Sequence, residues 1–103
     1  MPDDIQLTLR KMIKNWDQMK RSSEEQAEED ANLFEDSFYE LIERLRQWIE
    51  GMKVKPNTLE DALSLPEIDE VVSQLPSELY LNFETELDLI IEGITRKEDA
   101  QYD

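Results

Sequence analysis

The chain has no cysteine and no histidine. Without thiols there is no disulfide framework, no thiolate metal site and no sulfur nucleophile. Without imidazole there is no Ser-His-Asp triad, no zinc centre of the usual kind and no Glu-x-x-His di-iron ligand pair. The only glycines, Gly51 and Gly93, stand far apart, so neither GxGxxG nor a Walker A loop is present. Long apolar runs are missing too. The longest stretch, Leu87 to Ile94, is broken by Asp88 and Glu92, and a membrane span needs about 20 apolar residues. The start, Met1-Pro2-Asp3-Asp4, lacks the basic and apolar stretches of a secretory signal. These absences lead us to expect a soluble, cytoplasmic protein with no cofactor, no bound metal and no enzymatic activity.

What the chain has in excess is negative charge. It carries 26 Asp+Glu against 11 Lys+Arg over 103 residues, a formal net charge of −15. The charge is uneven. The first 21 residues hold Arg10, Lys11, Lys14, Lys20 and Arg21 against Asp3, Asp4 and Asp17, whereas beyond Lys55 the only cations are Arg96 and Lys97. Such a field repels nucleic acid and anionic lipid and speeds encounter with basic partners. Neither direct nucleic-acid binding nor membrane binding is therefore expected.

Hydrophobic residues make up 39% of the chain and charged residues 36%. That balance, with few β-branched runs and little alternation, favours helices. Ile5, Leu9, Met12, Trp16 and Met19 step by 4, 3, 4 and 3, and Asp3 or Asp4 suits the start of that helix. The basic residues flank its stripe, and the helix is expected to lie against the acidic remainder. Trp16 reads as core in preference to a membrane anchor.

Ser22-x-x-Glu25 and Ser23-x-x-Gln26 both match a capping box. The acidic stretch after them is a solvated helix start, a mobile linker, or the bend of one continuous helix. Ala31, Phe34, Phe38, Leu41, Leu45, Trp48 and Met52 mark a second helix ending near Gly51, which suits a C-terminal cap. Thr58-x-x-Asp61 opens a short helix, Leu59 to Ser64, and Pro66 opens another, Pro66 to Leu75. After Pro76, Ser77 caps a last helix from Glu78 to about Ile94, with Tyr80, Phe83, Leu87, Ile90, Ile91 and Ile94 inward. The expected fold is all-α: a small irregular bundle of two or three long amphipathic helices and one or two short ones. It occupies residues 1–96 as a single domain, with 97–103 a polar tail.

Carboxylate chemistry is what remains. Glu84, Asp88 and Glu92 share a helix face at i, i+4 and i+8 and offer a divalent-cation site, but a solvated face is the simpler reading. The run Glu24, Glu25, Glu28, Glu29, Asp30, with Glu35 and Asp36 beyond, offers a line of charge comparable to that of duplex DNA, about one per 1.7 Å. A solubilising segment is again simpler. No motif assigns the chain to a family. In composition alone it resembles DNA-mimicking phage inhibitors, immunity proteins and secretion chaperones, and composition carries over no site.

Several apolar residues fall off the stripes: Leu7, Leu33, Tyr39, Leu81 and Leu89. A small domain has difficulty burying such a surplus, which points to an interface with a partner or with a second copy in a homodimer. The expected function is that of a non-enzymatic regulator, chaperone or inhibitor engaging a basic or amphipathic protein. Its expected contacts are Leu33, Tyr39, Leu81 and Leu89, rimmed by Glu35, Asp36, Glu40, Glu84 and Asp88. A DNA mimic is the alternative reading, and a carboxylate-metal enzyme a distant third.

Overall fold

The computed structural model describes residues 3–100, with side chains through Arg96. The described chain is all-α, with no strand: α1 (Asp3–Lys20), α2 (Ala27–Glu50), α3 (Leu59–Leu63), α4 (Pro66–Gln74), a 3-10 turn (Ser77–Leu79) and α5 (Tyr80–Ala100). Three long and two short helices match the expected class. The chain divides into two compact units, residues 1–45 and 46–103. The boundary falls within α2, which gives its first nineteen residues to one unit and its last turn to the other.

In the first unit α1 and α2 run antiparallel. Ile5, Leu9 and Met12 of α1 are buried, as are Phe38, Leu41, Ile42 and Leu45 of α2. Polar ties fix the register between the two helices. At one end Arg44 Nη1 reaches Asp4 Oδ2 at 3.4 Å, and in the middle Lys11 Nζ reaches Glu40 Oε2 at 3.4 Å. Farther along, Asn15 Nδ2 donates to Ser37 Oγ at 3.0 Å and to the Leu33 carbonyl at 3.2 Å. The Trp16 and Phe34 rings close the row, 5.1 Å between centroids. Trp16 is half-buried, a packing residue as expected.

The link between α1 and α2 resolves the open question about residues 22–32. Neither serine pairing marks the true start of α2. Ser22 donates its hydroxyl back to the Met19 carbonyl at 2.8 Å, closing α1. The Gln26 N–H closes a turn on the Ser23 carbonyl, and the helical ladder begins with Asp30 N–H to the Gln26 carbonyl at 2.9 Å. Residues 21–26 are thus a turn and 27–32 are helix. At the far end of α2, Gly51 does not take the left-handed cap conformation expected of it, because no glycine has positive φ. Its N–H bonds the Gln47 carbonyl at 3.2 Å, a simple continuation of the last turn.

The second unit gathers its core from short elements. Thr58 caps α3 as expected, its hydroxyl accepting from the Asp61 N–H at 3.1 Å. Pro66 occupies the first turn of α4, where its missing N–H costs nothing. The helix α3 packs on α4 and α5. Ala62, Ile68, Val71, Leu75, Phe83, Leu87, Ile90, Ile91 and Ile94 are buried.

Two expectations for α5 change. Ser77 does not cap it: the serine hydroxyl is 3.3 Å from a Glu78 carboxylate oxygen, and the chain enters through a 3-10 turn closed by Leu79 N–H on the Pro76 carbonyl. That turn carries Leu79 inward, 2% exposed, and leaves Tyr80, expected in the core, 40% exposed. The helix also continues past Ile94 to Ala100. Of the expected polar tail, residues 101–103 lie outside the described residues.

Candidate functional site

The residues expected at an interface fall on both units, and each surface stands by itself. On α2, Leu33 and Tyr39 are each half exposed. They do not share a face: six residues at 100° per residue set them about 120° apart. Tyr39 has Glu35 and Asp36 one turn before it, both exposed, and its ring stands edge-on to Phe38 at 5.4 Å. Leu33 sits where the Asn15 amide takes its backbone carbonyl.

Glu40 differs from the other acids of that set. It accepts from Lys11 and, at 3.3 Å, from Arg44 Nη2. Those bonds, that of Lys11 foremost, hold its carboxyl below the usual value. It is occupied within the unit, bridging the cations of two helices.

On α5 the expected set comes together. Leu81 is 73% exposed and Leu89 55% exposed. They lie two turns apart and about 80° around the helix, with Thr85 between them, Asp88 flanking the strip about 20° beyond Leu81, and Glu92 one turn past Leu89. Asp88 is exposed and Glu84 half-buried at the edge. Thr85 donates its hydroxyl to the Leu81 carbonyl at 2.8 Å, which removes its hydrogen from the surface. The result is an apolar strip with an acidic edge, opposite the buried Phe83–Leu87–Ile91 face.

The two carboxylate arrangements look different in three dimensions. Among the described residues no group of three acidic side chains is placed to hold a metal ion, and Glu92 pairs with Arg96 on the next turn. The acidic run does not form one helical line of charge. Glu24 and Glu25 lie in the turn before α2, and Asp30 turns inward. Asp30 is 7% exposed, and its Oδ2 has no hydrogen-bond partner among the described residues.

Three surface features escaped the sequence reading. Val54, 84% exposed, stands in the loop between α2 and α3, and Tyr80 is exposed through the 3-10 turn. The third is basic. Arg10, Ile13, Lys14, Asp17, Gln18 and Arg21 line a shallow groove of about 310 Å³ on α1. Lys11 of α1 pairs with Glu40 of α2, whereas Arg10 and Lys14 have no ion pair among the described residues. The signal was present: Arg10, Lys14, Asp17 and Arg21 repeat the 4-3-4 spacing of the apolar stripe on the opposite face.

No protein-family model, curated protein or solved structure matches the chain. No described helix is long and apolar enough to cross a membrane.

Proposed function

We propose that this protein is a non-enzymatic binding protein, a regulator, chaperone or inhibitor, that engages a basic amphipathic segment of another protein through α5. The observation that carries this reading is the pairing of Leu81 and Leu89 on one face of α5, both more than half exposed, with the exposed Asp88 flanking them on the Leu81 side. Two exposed leucines on one helix face form an apolar patch rimmed by polar residues, the kind of surface that serves an interface. A partner helix with apolar residues at matching spacing would cover them, and its lysines or arginines would meet Asp88 and Glu84. Apolar anchors supply affinity; the acidic field supplies rate and orientation. Tyr39 with Glu35 and Asp36 offers a second contact of the same chemistry on α2.

DNA mimicry is supported less well. A mimic needs a continuous array of acids, and here the run bends through a turn and loses Asp30 to the interior.

The test is affinity capture from nuclease-treated native extract, comparing the wild type with Leu81→Ser/Leu89→Ser. Both side chains are exposed, so the variant should keep its melting temperature within a few degrees. A protein retained by the wild type, lost by the variant and indifferent to added duplex DNA supports the proposal. Equal retention by both argues against it, and displacement by duplex DNA favours the mimic.

A further inference from the structure

The basic groove on α1 faces away from α2 and is the one strongly cationic surface among the described residues of a protein with net charge −15. It is lined by Arg10, Lys14 and Arg21, with Ile13 and Gln18 at its two edges and Asp17 midway along it. Arg21 is steadied by a 3.3 Å bond from Nε to the Asp17 carbonyl. Immediately after the groove the sign reverses: Glu24, Glu25, Glu28 and Glu29 are all exposed.

We propose that this groove receives the Glu24–Glu29 segment of a second copy of the chain, in a two-fold symmetric pair. Adjacent patches of opposite sign are self-complementary under two-fold rotation, because each copy offers its basic patch to the other's acidic one and every contact is made twice. The spacings are compatible over part of the groove: Arg10 and Lys14 lie about 6 Å apart along the helix at 1.5 Å per residue, and the shorter acidic segment covers about that span. With the axis near the end of α1, Arg10 and Lys14 of one copy meet Glu24, Glu25 or Glu28 of the other, and Asp17 meets the cations at the end of the opposing α1.

Asp17 also separates this occupant from a nucleic acid. A phosphate backbone following the groove would meet Asp17 midway and the four exposed glutamates at its end, and both would repel it. This pairing uses a different surface from the α5 strip and does not depend on that reading.

Charge sets a distinctive salt dependence. At very low ionic strength two copies repel through their net charge. Near physiological salt the screening length falls to about 8 Å, so long-range repulsion fades while contact pairs persist. In molar salt the pairs weaken as well.

The experiment is sedimentation velocity of the full chain at high micromolar concentration. It compares the wild type, Arg10→Glu/Lys14→Glu, and Glu25→Lys/Glu28→Lys in dilute buffer, in physiological salt and in molar salt, with circular dichroism confirming the fold of each. The expected result is a wild-type dimer in physiological salt that dissociates in molar salt, two monomeric variants, and a heterodimer when the variants are mixed in equal amounts. Rescue on mixing requires this pairing of surfaces. A monomeric wild type at every salt, variants that dimerise as the wild type does, or a mixture that stays monomeric overturns it. So does a dimer that persists unchanged in molar salt, since an apolar contact would then hold it.

Discussion

The side-chain amide of Asn15 donates to the Ser37 hydroxyl across 3.0 Å, and that hydroxyl donates in turn to the Phe34 carbonyl at 2.9 Å. Ser37 is 1% exposed and Asn15 half-buried, so the inner end of this short relay is shielded from water. It ties the middle of α1 to α2 and sets the register in which Trp16 meets Phe34.

Removing either end deletes a partly buried hydrogen bond between the helices, at a cost of about 1 kcal/mol. Asn15→Ala and Ser37→Ala should each lower stability in urea unfolding by that order. The double variant should lose less than the sum, because the two share one interaction. Strictly additive losses would mean the relay does not act as a unit.

Glu40 makes stability depend on pH with a definite sign. Its carboxyl is held below the ordinary value of 4.5, first by the hydrogen bond from Lys11 and then by that from Arg44. The folded state therefore binds this proton less readily than the unfolded chain. Its contribution is present above about pH 4.5 and is lost as pH falls through the lowered value. Glu40→Gln should melt below the wild type at neutral pH, and the gap should close in acid. A gap that widens below pH 4 would contradict the assignment.

Asp30 should respond in the opposite direction to most core changes. A carboxylate 7% exposed with one unpartnered oxygen carries a desolvation cost. Its place in the first turn of α2 offsets part of that cost through the helix dipole, by roughly 0.3–1 kcal/mol. Asp30→Leu should raise the melting temperature, with a gain on the order of 1 kcal/mol. A lower melting temperature would show that the carboxylate is compensated where it stands.

Gly93 lies inside α5, and a Cβ added there meets nothing within 4 Å. Its backbone has no positive φ that would require glycine. Gly93→Ala should therefore stabilise by about 0.5–1 kcal/mol, the difference in helix propensity. Chemical denaturation measures it directly, and a destabilised variant would mean that the exposed surface around position 93 is in use.

Helix positions were largely legible in the chain. The 3-4 spacing of apolar residues located α1, α2 and α5, and Thr58 and Pro66 marked two helix starts, because periodicity and capping are local properties. The errors came where two local signals competed. Ser22 had a match downstream in Glu25, but its hydroxyl found the Met19 carbonyl behind it. The α5 stripe placed Tyr80 inward, and the 3-10 turn buried Leu79 in its stead. Of the expected contact residues, Leu81, Leu89 and Asp88 form one surface. Leu33 and Tyr39 point different ways, and Glu40 is engaged by Lys11 and Arg44.

By itself the sequence determined that this protein is helical, strongly acidic, and without thiol or imidazole chemistry, since each follows from which residues are present and how they are spaced. Tertiary structure decided which charges are occupied and which face outward. Asp30 turns inward, Glu40 is tied between two cations, and Arg10 and Lys14 face away from α2. Those outcomes depend on the rotation of one helix against another. Packing of apolar side chains sets that rotation, and a polar residue a third of a turn off the stripe goes wherever the packing carries it.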